Sequence, residues 1–104
     1  MKTIMDAAGH PNVVVCWNCN PTDLAGQGIK KNFQMLESHL GTVHIHDLRP
    51  GENEYPWNQL FPLLLACQSP EFTGWCLLEE GVMPVDVVAA MHQNKQQFDK
   101  LIST

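Results

Sequence analysis

The sequence predicts an α/β fold in which three parallel strands alternate with helices in the order αβαβαβα. Short runs rich in apolar and β-branched residues lie at Val13–Trp17, Thr42–His46 and Phe72–Leu78, and segments with apolar residues at helical spacing separate and follow them. Each strand-plus-helix unit takes roughly 30 to 40 residues, the spacing of βαβ units. Right-handed crossovers then make successive strands parallel neighbours.

Taken in order, Met1–Gly9 reads as a short helix closed by Gly9, and His10-Pro11-Asn12 as a turn. Val13-Val14-Val15-Cys16-Trp17 is apolar at every position, which predicts a strand buried on both faces. The polar stretch Asn18–Gly28 leads to a helix with Ile29, Phe33, Leu36 and Leu40 on one face and Gly41 as its stop. Thr42–His46 follows as the second strand, and a loop over Asp47–Pro56 holds the single arginine, Arg49. Trp57, Leu60, Phe61, Leu64 and Leu65 mark the next helix, with Pro62 absorbed near its first turns or kinking it. Phe72–Leu78 is the third strand and runs into Glu79-Glu80-Gly81. Pro84 is expected in the first turn of the closing helix, ahead of Val87, Val88, Met91, Phe98 and Leu101. No low-complexity linker divides residues 1–104, which read as one domain. Three strands alone leave two open edges.

Composition narrows the functions available. With 104 residues and 44% apolar content the chain can bury a core. Its net charge of −5, with six Lys plus Arg, offers no basic face for a phosphate backbone, so nucleic acid is not an expected partner. No apolar run approaches a bilayer span, and the N-terminus has no apolar signal core; no membrane partner and a cytoplasmic location are expected. Three of the four cysteines sit inside apolar stretches, so they are expected to be reduced small hydrophobes rather than a disulfide framework. Cys16-x-x-Cys19 has two readings: a structural pair with Cys16 buried on its strand, or a redox or zinc pair.

Working residues of parallel α/β folds collect at the C-terminal ends of strands. Here that rule selects Trp17-Asn18-Cys19-Asn20, His44–Arg49 and Leu78-Glu79-Glu80. Alternation puts His44 and His46 on one strand face, where both or only one can bind a metal. Glu79 and Glu80 point to opposite faces, so one carboxylate enters the cleft beside His44 and can hold a metal or move a proton. Imidazole with carboxylate oxygen suits manganese, magnesium, cobalt or zinc. Asp47 and Arg49 are either a surface ion pair or, through Arg49, an anchor for an anionic or hydroxyl-rich substrate. The three tryptophans read mainly as core, Trp17 being the best placed to pack on a sugar face. His10, His39 and His92 have no strand-end setting and read as surface residues.

The stretches HPNVVVCWN, TVHIHDL, YPW and FTGWCLLEEG, in this order, resemble the final three β/α units of the xylose-isomerase-like TIM-barrel family, which includes sugar isomerases, ketose 3-epimerases and endonuclease IV-type repair enzymes. The resemblance spans nearly the whole chain. It implies a partial TIM barrel and an isomerase/epimerase-like fragment with a partial divalent-metal site. His44 matches the family's histidine ligand and Glu79 its final glutamate, which is also one of two proton-exchanging carboxylates. Asn18 stands where an aspartate is usual, the first glutamate falls before Met1, and Pro21 replaces a substrate-contacting histidine. What is implied is a sugar or sugar-phosphate ligand, with the fragment inactive alone or completed by another chain; the alternative is a non-enzymatic, self-associating α/β oligomer.

Overall fold

In a computed structural model, residues 2–10, 12–51, 54–70, 72–79 and 84–103 are described. Helix α1, Lys2–Ala8, is steadied by a Lys2–Asp6 ion pair one turn apart at 2.6 Å and ends at Gly9, whose φ of +56° lets its N–H return to the Met5 carbonyl at 3.1 Å. Strand β1 is Val15–Asn18, followed by a 3-10 turn over Pro21–Leu24 and helix α2, Ile29–Leu36. A second 3-10 turn, Glu37–His39, delivers the chain to β2, Leu40–Ile45. Helix α3 is Trp57–Leu65, β3 is Cys76–Leu78 and α4 is Val87–Ile102. The fold is therefore α/β, with a three-stranded parallel sheet ordered β1-β2-β3 and four α-helices among the described residues.

The two sheet faces differ. Trp17, Val43 and Cys76 are in register and face the helices, whereas the next triplet, Asn18, His44 and Leu77, faces away. The core lies between the first face and the helix layer, where Trp17, Val43 and Ile45 meet Ile29 and Phe33 of α2, and Leu60, Phe61 and Leu64 of α3. Phe98 and Leu101 of α4 pack against it, Phe98 edge-on to Phe61 at 5.6 Å. Consecutive helices touch, α2 against α3 and α3 against α4, as expected when each crossover has the same hand. Burying each large apolar side chain contributes about 1.5–3 kcal/mol.

That asymmetry corrects several expectations. β1 alternates buried and exposed rather than being buried on both faces; Cys16 is exposed and Cys19 is the buried thiol. Leu40 and Gly41 do not finish α2 but begin β2. Gly41 is the residue skipped where Val15 pairs with Leu40 and Cys16 with Thr42, and a Cβ there would collide with Val14. β3 is shorter than Phe72–Leu78: Gly74, at φ +83°, lies just before it, and Trp75 is 69% exposed rather than core. α4 starts at Val87, capped by the Asp86 carboxylate on the Ala89 N–H at 2.9 Å, so Pro84 lies outside the helix. Pro62 sits within α3, as the apolar spacing allows.

Candidate functional site

Three strand ends meet where the sheet's uncovered face reaches its C-terminal rim. Parallel register sets Asn18 beside His44, and the ladder continues past both strands through the Cys19 N–H to the His44 carbonyl at 3.3 Å and the Glu79 N–H to the Ile45 carbonyl at 2.8 Å. The second of these bonds fixes the backbone of Glu79 beside the end of β2. Its side chain then reaches His44, with Oε2 3.2 Å from Nδ1, while the Glu79 carbonyl oxygen lies 3.2 Å from His46 Nδ1. One glutamate thus contacts both imidazoles, the first through its side chain and the second through its backbone. The His44 side chain is 34% exposed and that of Glu79 is 57% exposed, so solvent reaches the site and screens the pair.

The structure brings together His44, His46 and Glu79, with Asn18 in the adjacent strand position; Glu80 lies outside the described residues. Trp17 and Arg49 go elsewhere. Trp17 is on the helix-covered face and 5% exposed; its indole N–H donates to the Tyr55 hydroxyl at 3.2 Å, and its ring meets Phe33 edge-on. Trp17 therefore sits in the core, as the main reading of the tryptophans expects, and on the side of β1 opposite His44 and Asn18 rather than where it could pack on a ligand there. Arg49 grips Asp47 from two nitrogens, Nε to Oδ1 at 2.9 Å and Nη2 to Oδ2 at 2.5 Å, favouring the ion-pair reading over the substrate anchor. His39 lies 3.6 Å from Asp6, and His10 and His92 are exposed.

Two polar networks beneath the rim, each partly buried, escape the sequence reading. Tyr55 donates to Asp23 Oδ2 at 2.7 Å while accepting from Trp17, and the same Asp23 oxygen accepts the Asn20 N–H at 3.0 Å, tying the loop after β1 to the loop after β2. Burial raises the Asp23 carboxyl above the ordinary range, opposed by the Tyr55 hydrogen bond. Burial, reinforced by donation to Asp23, likewise raises the Tyr55 hydroxyl. Cys19 beside them is pushed up to about 12 by burial and then by the Asp23 charge, so it is an inert thiol. Cys76 is raised by burial as well, and all four cysteines are free. In the second network Asn94 of α4, 4% exposed, accepts the Leu48 N–H at 2.7 Å and donates to Asp47 at 3.3 Å and to the Ala90 carbonyl at 3.0 Å. The signal for it is an Asn at the centre of an otherwise apolar Ala90, Phe98, Leu101 stripe.

The metal centre implied by the family resemblance has four protein ligands. Among the described residues no three of His, Cys, Asp or Glu gather closely enough to hold an ion. His44 and Glu79, expected as two of the four, are in contact, and Asn18, expected as a third, is set beside His44 by strand register. Among the described residues no helix is long and apolar enough to cross a membrane. Comparison with protein-family models, curated proteins and solved structures found no match.

Proposed function

We propose that this chain is a partial TIM barrel of the sugar isomerase/epimerase type that carries half of a proton-transfer site. The observation that supports the reading is the contact between His44 and Glu79 across adjacent parallel strand ends, on the sheet face that in a barrel lines the interior. Glu79 is the base. His44 holds Oε2 by its Nδ1–H, and the exposed carboxylate faces solvent, where a hydroxyketone of sugar or sugar-phosphate type can approach. Asn18 is the neutral neighbour. A divalent ion, when bound, polarises the substrate carbonyl.

Epimerisation, which inverts a carbon, needs a carboxylate on each side of the transferred proton. One carboxylate suffices for removal and return of a proton on one face beside the carbonyl. Deuterium from D2O is therefore expected to wash into dihydroxyacetone, followed by proton NMR, at least about tenfold faster with the wild-type chain than with Glu79→Ala. Equal rates for the two proteins would remove the proposal.

The uncovered face also favours a second reading, a self-associating α/β protein without catalysis. Leu77 is 47% exposed on that face, the nearby Trp75 is 69% exposed, and among the described residues β1 and β3 are each paired on one side only. Slower alkylation of Cys16 as protein concentration rises would support it, and a constant rate would count against it.

A further inference from the structure

Asp23 is a half-buried carboxylate with no cation beside it. Its Oδ2 accepts the Tyr55 hydroxyl at 2.7 Å and the Asn20 N–H at 3.0 Å, both neutral donors, and among the described residues it enters no ion pair. One oxygen thus carries both of its duties in the fold, closing the turn Pro21–Leu24 and joining it to the loop after β2. The other oxygen, Oδ1, accepts from none of the described residues. The buried side-chain polar atom that lacks a partner among the described residues is Trp57 Nε1, so Asp23 Oδ1 is not sealed from solvent. The raised Asp23 carboxyl is what burial produces where no cation offsets the loss of water.

Asp23 lines a cavity of about 380 Å³ between α1, the turn Pro21–Leu24 and α2, with Trp17, Met35 and Leu36 as apolar wall. Asn32 lines it too. Its amide nitrogen donates to the Asp23 carbonyl at 2.7 Å and to the Ala25 carbonyl at 2.8 Å; carbonyls only accept, so the nitrogen faces them and Oδ1 remains as an acceptor. Lys2 reaches the cavity as well, but its ammonium is already matched by Asp6 at 2.6 Å.

We propose that this cavity binds a primary ammonium ion carried on a small apolar body, with Asp23 as its counter-charge. Charged groups withdrawn from water are ordinarily paired, and the cavity leaves room for the partner that Asp23 lacks. An ammonium is a compact charge whose three donors can each take a separate acceptor. A guanidinium gains most from both oxygens of one carboxylate, and here Oδ2 is engaged twice. The volume lies at the lower end for ligand pockets and, with its apolar wall, suits a body of about one ring. The cavity shares no residue with the His44–Glu79 pair, so the inference does not depend on the proton-transfer reading.

NMR titration of the nitrogen-15-labelled chain with phenethylamine tests it, read at the Trp17 indole N–H. The comparison ligand, 2-phenylethanol, keeps the ring and loses the charge. Phenethylamine is expected to bind at least about tenfold more tightly than the alcohol, and Asp23→Asn should remove that advantage. Tyr55→Phe, which takes a donor from Oδ2 but leaves the carboxylate, should bind phenethylamine within about threefold of wild type, and so should Glu79→Ala. Circular dichroism identifies any variant that has failed to fold; if Asp23→Asn is one, the two ligands on the wild-type chain still decide. Equal affinity for amine and alcohol would overturn the proposal, as would no shift of the Trp17 indole at millimolar phenethylamine. So would an advantage that survives in folded Asp23→Asn, or one that Glu79→Ala removes, which would place the amine at the rim.

Discussion

The helix-covered and uncovered faces of one three-stranded sheet are built from the same strands and do opposite work. On the covered face Val43 is fully buried, Trp17 is tied to Tyr55, and the side chains interlock with α2, α3 and α4. On the uncovered face Asn18, His44 and Leu77 sit at the same three registers with solvent above them. One face is where apolar burial stabilises the chain, and the other is where polar groups can meet a ligand. A parallel sheet buried on both sides would have no such division.

The sharpest way to break this comparison is to truncate one residue on each face. Phe33→Ala, at a site 1% exposed, should lose about 3–5 kcal/mol in urea denaturation, because it leaves a cavity beneath Trp17. Leu77→Ser should stay within about 0.5 kcal/mol of the wild type. Comparable losses at the two sites would mean that the uncovered face is packed.

A smaller effect comes from the rim network. Arg49 beside Asp47 holds that carboxyl below the usual range, by hydrogen bonding first, against a lesser opposing effect of burial. A carboxylate depressed on folding contributes stability that is present above its unfolded value and lost as pH falls through the lower folded one. Asp47→Asn should therefore cost about 1 kcal/mol near neutral pH, with solvent screening already allowed for, and the two stability curves should converge below about pH 4. Asp23 works with the opposite sign: burial raises its carboxyl, so its contribution grows as pH falls through the folded value toward the unfolded one. A gap between Asp47→Asn and wild type that persists unchanged into acid would show that the Arg49 contact is not electrostatic.

Strand number, order and direction were legible because apolar runs, turn residues and helical spacing alternate clearly along the chain. The facing of β1 was not. Val13-Val14-Val15-Cys16-Trp17 is apolar throughout, so the period of two that distinguishes its sides is hidden, and Cys16, expected to be buried, is exposed. Gly41 reads as a helix stop in sequence because its actual constraint, the approach of Val14, comes from another strand. In the site, His44, His46 and Glu79 were visible from the strand-end rule and alternation. That one glutamate contacts both rings depends on parallel register, and the Tyr55–Asp23 and Asn94–Leu48 bonds join residues 32 and 46 positions apart, beyond the reach of local pattern.

Thiol chemistry tests the two-faced sheet most directly, because the chain carries its own reporters. Cys16 is exposed in β1, and Cys19, three residues on, is 3% exposed and pushed up to about 12. Native protein at low concentration, alkylated with iodoacetamide near pH 8 and mapped by mass spectrometry, should be modified at Cys16 while Cys19 reacts at least about 100-fold more slowly. Cys19 reacting as fast as Cys16, or faster, would contradict the division of the sheet into a covered and an uncovered face.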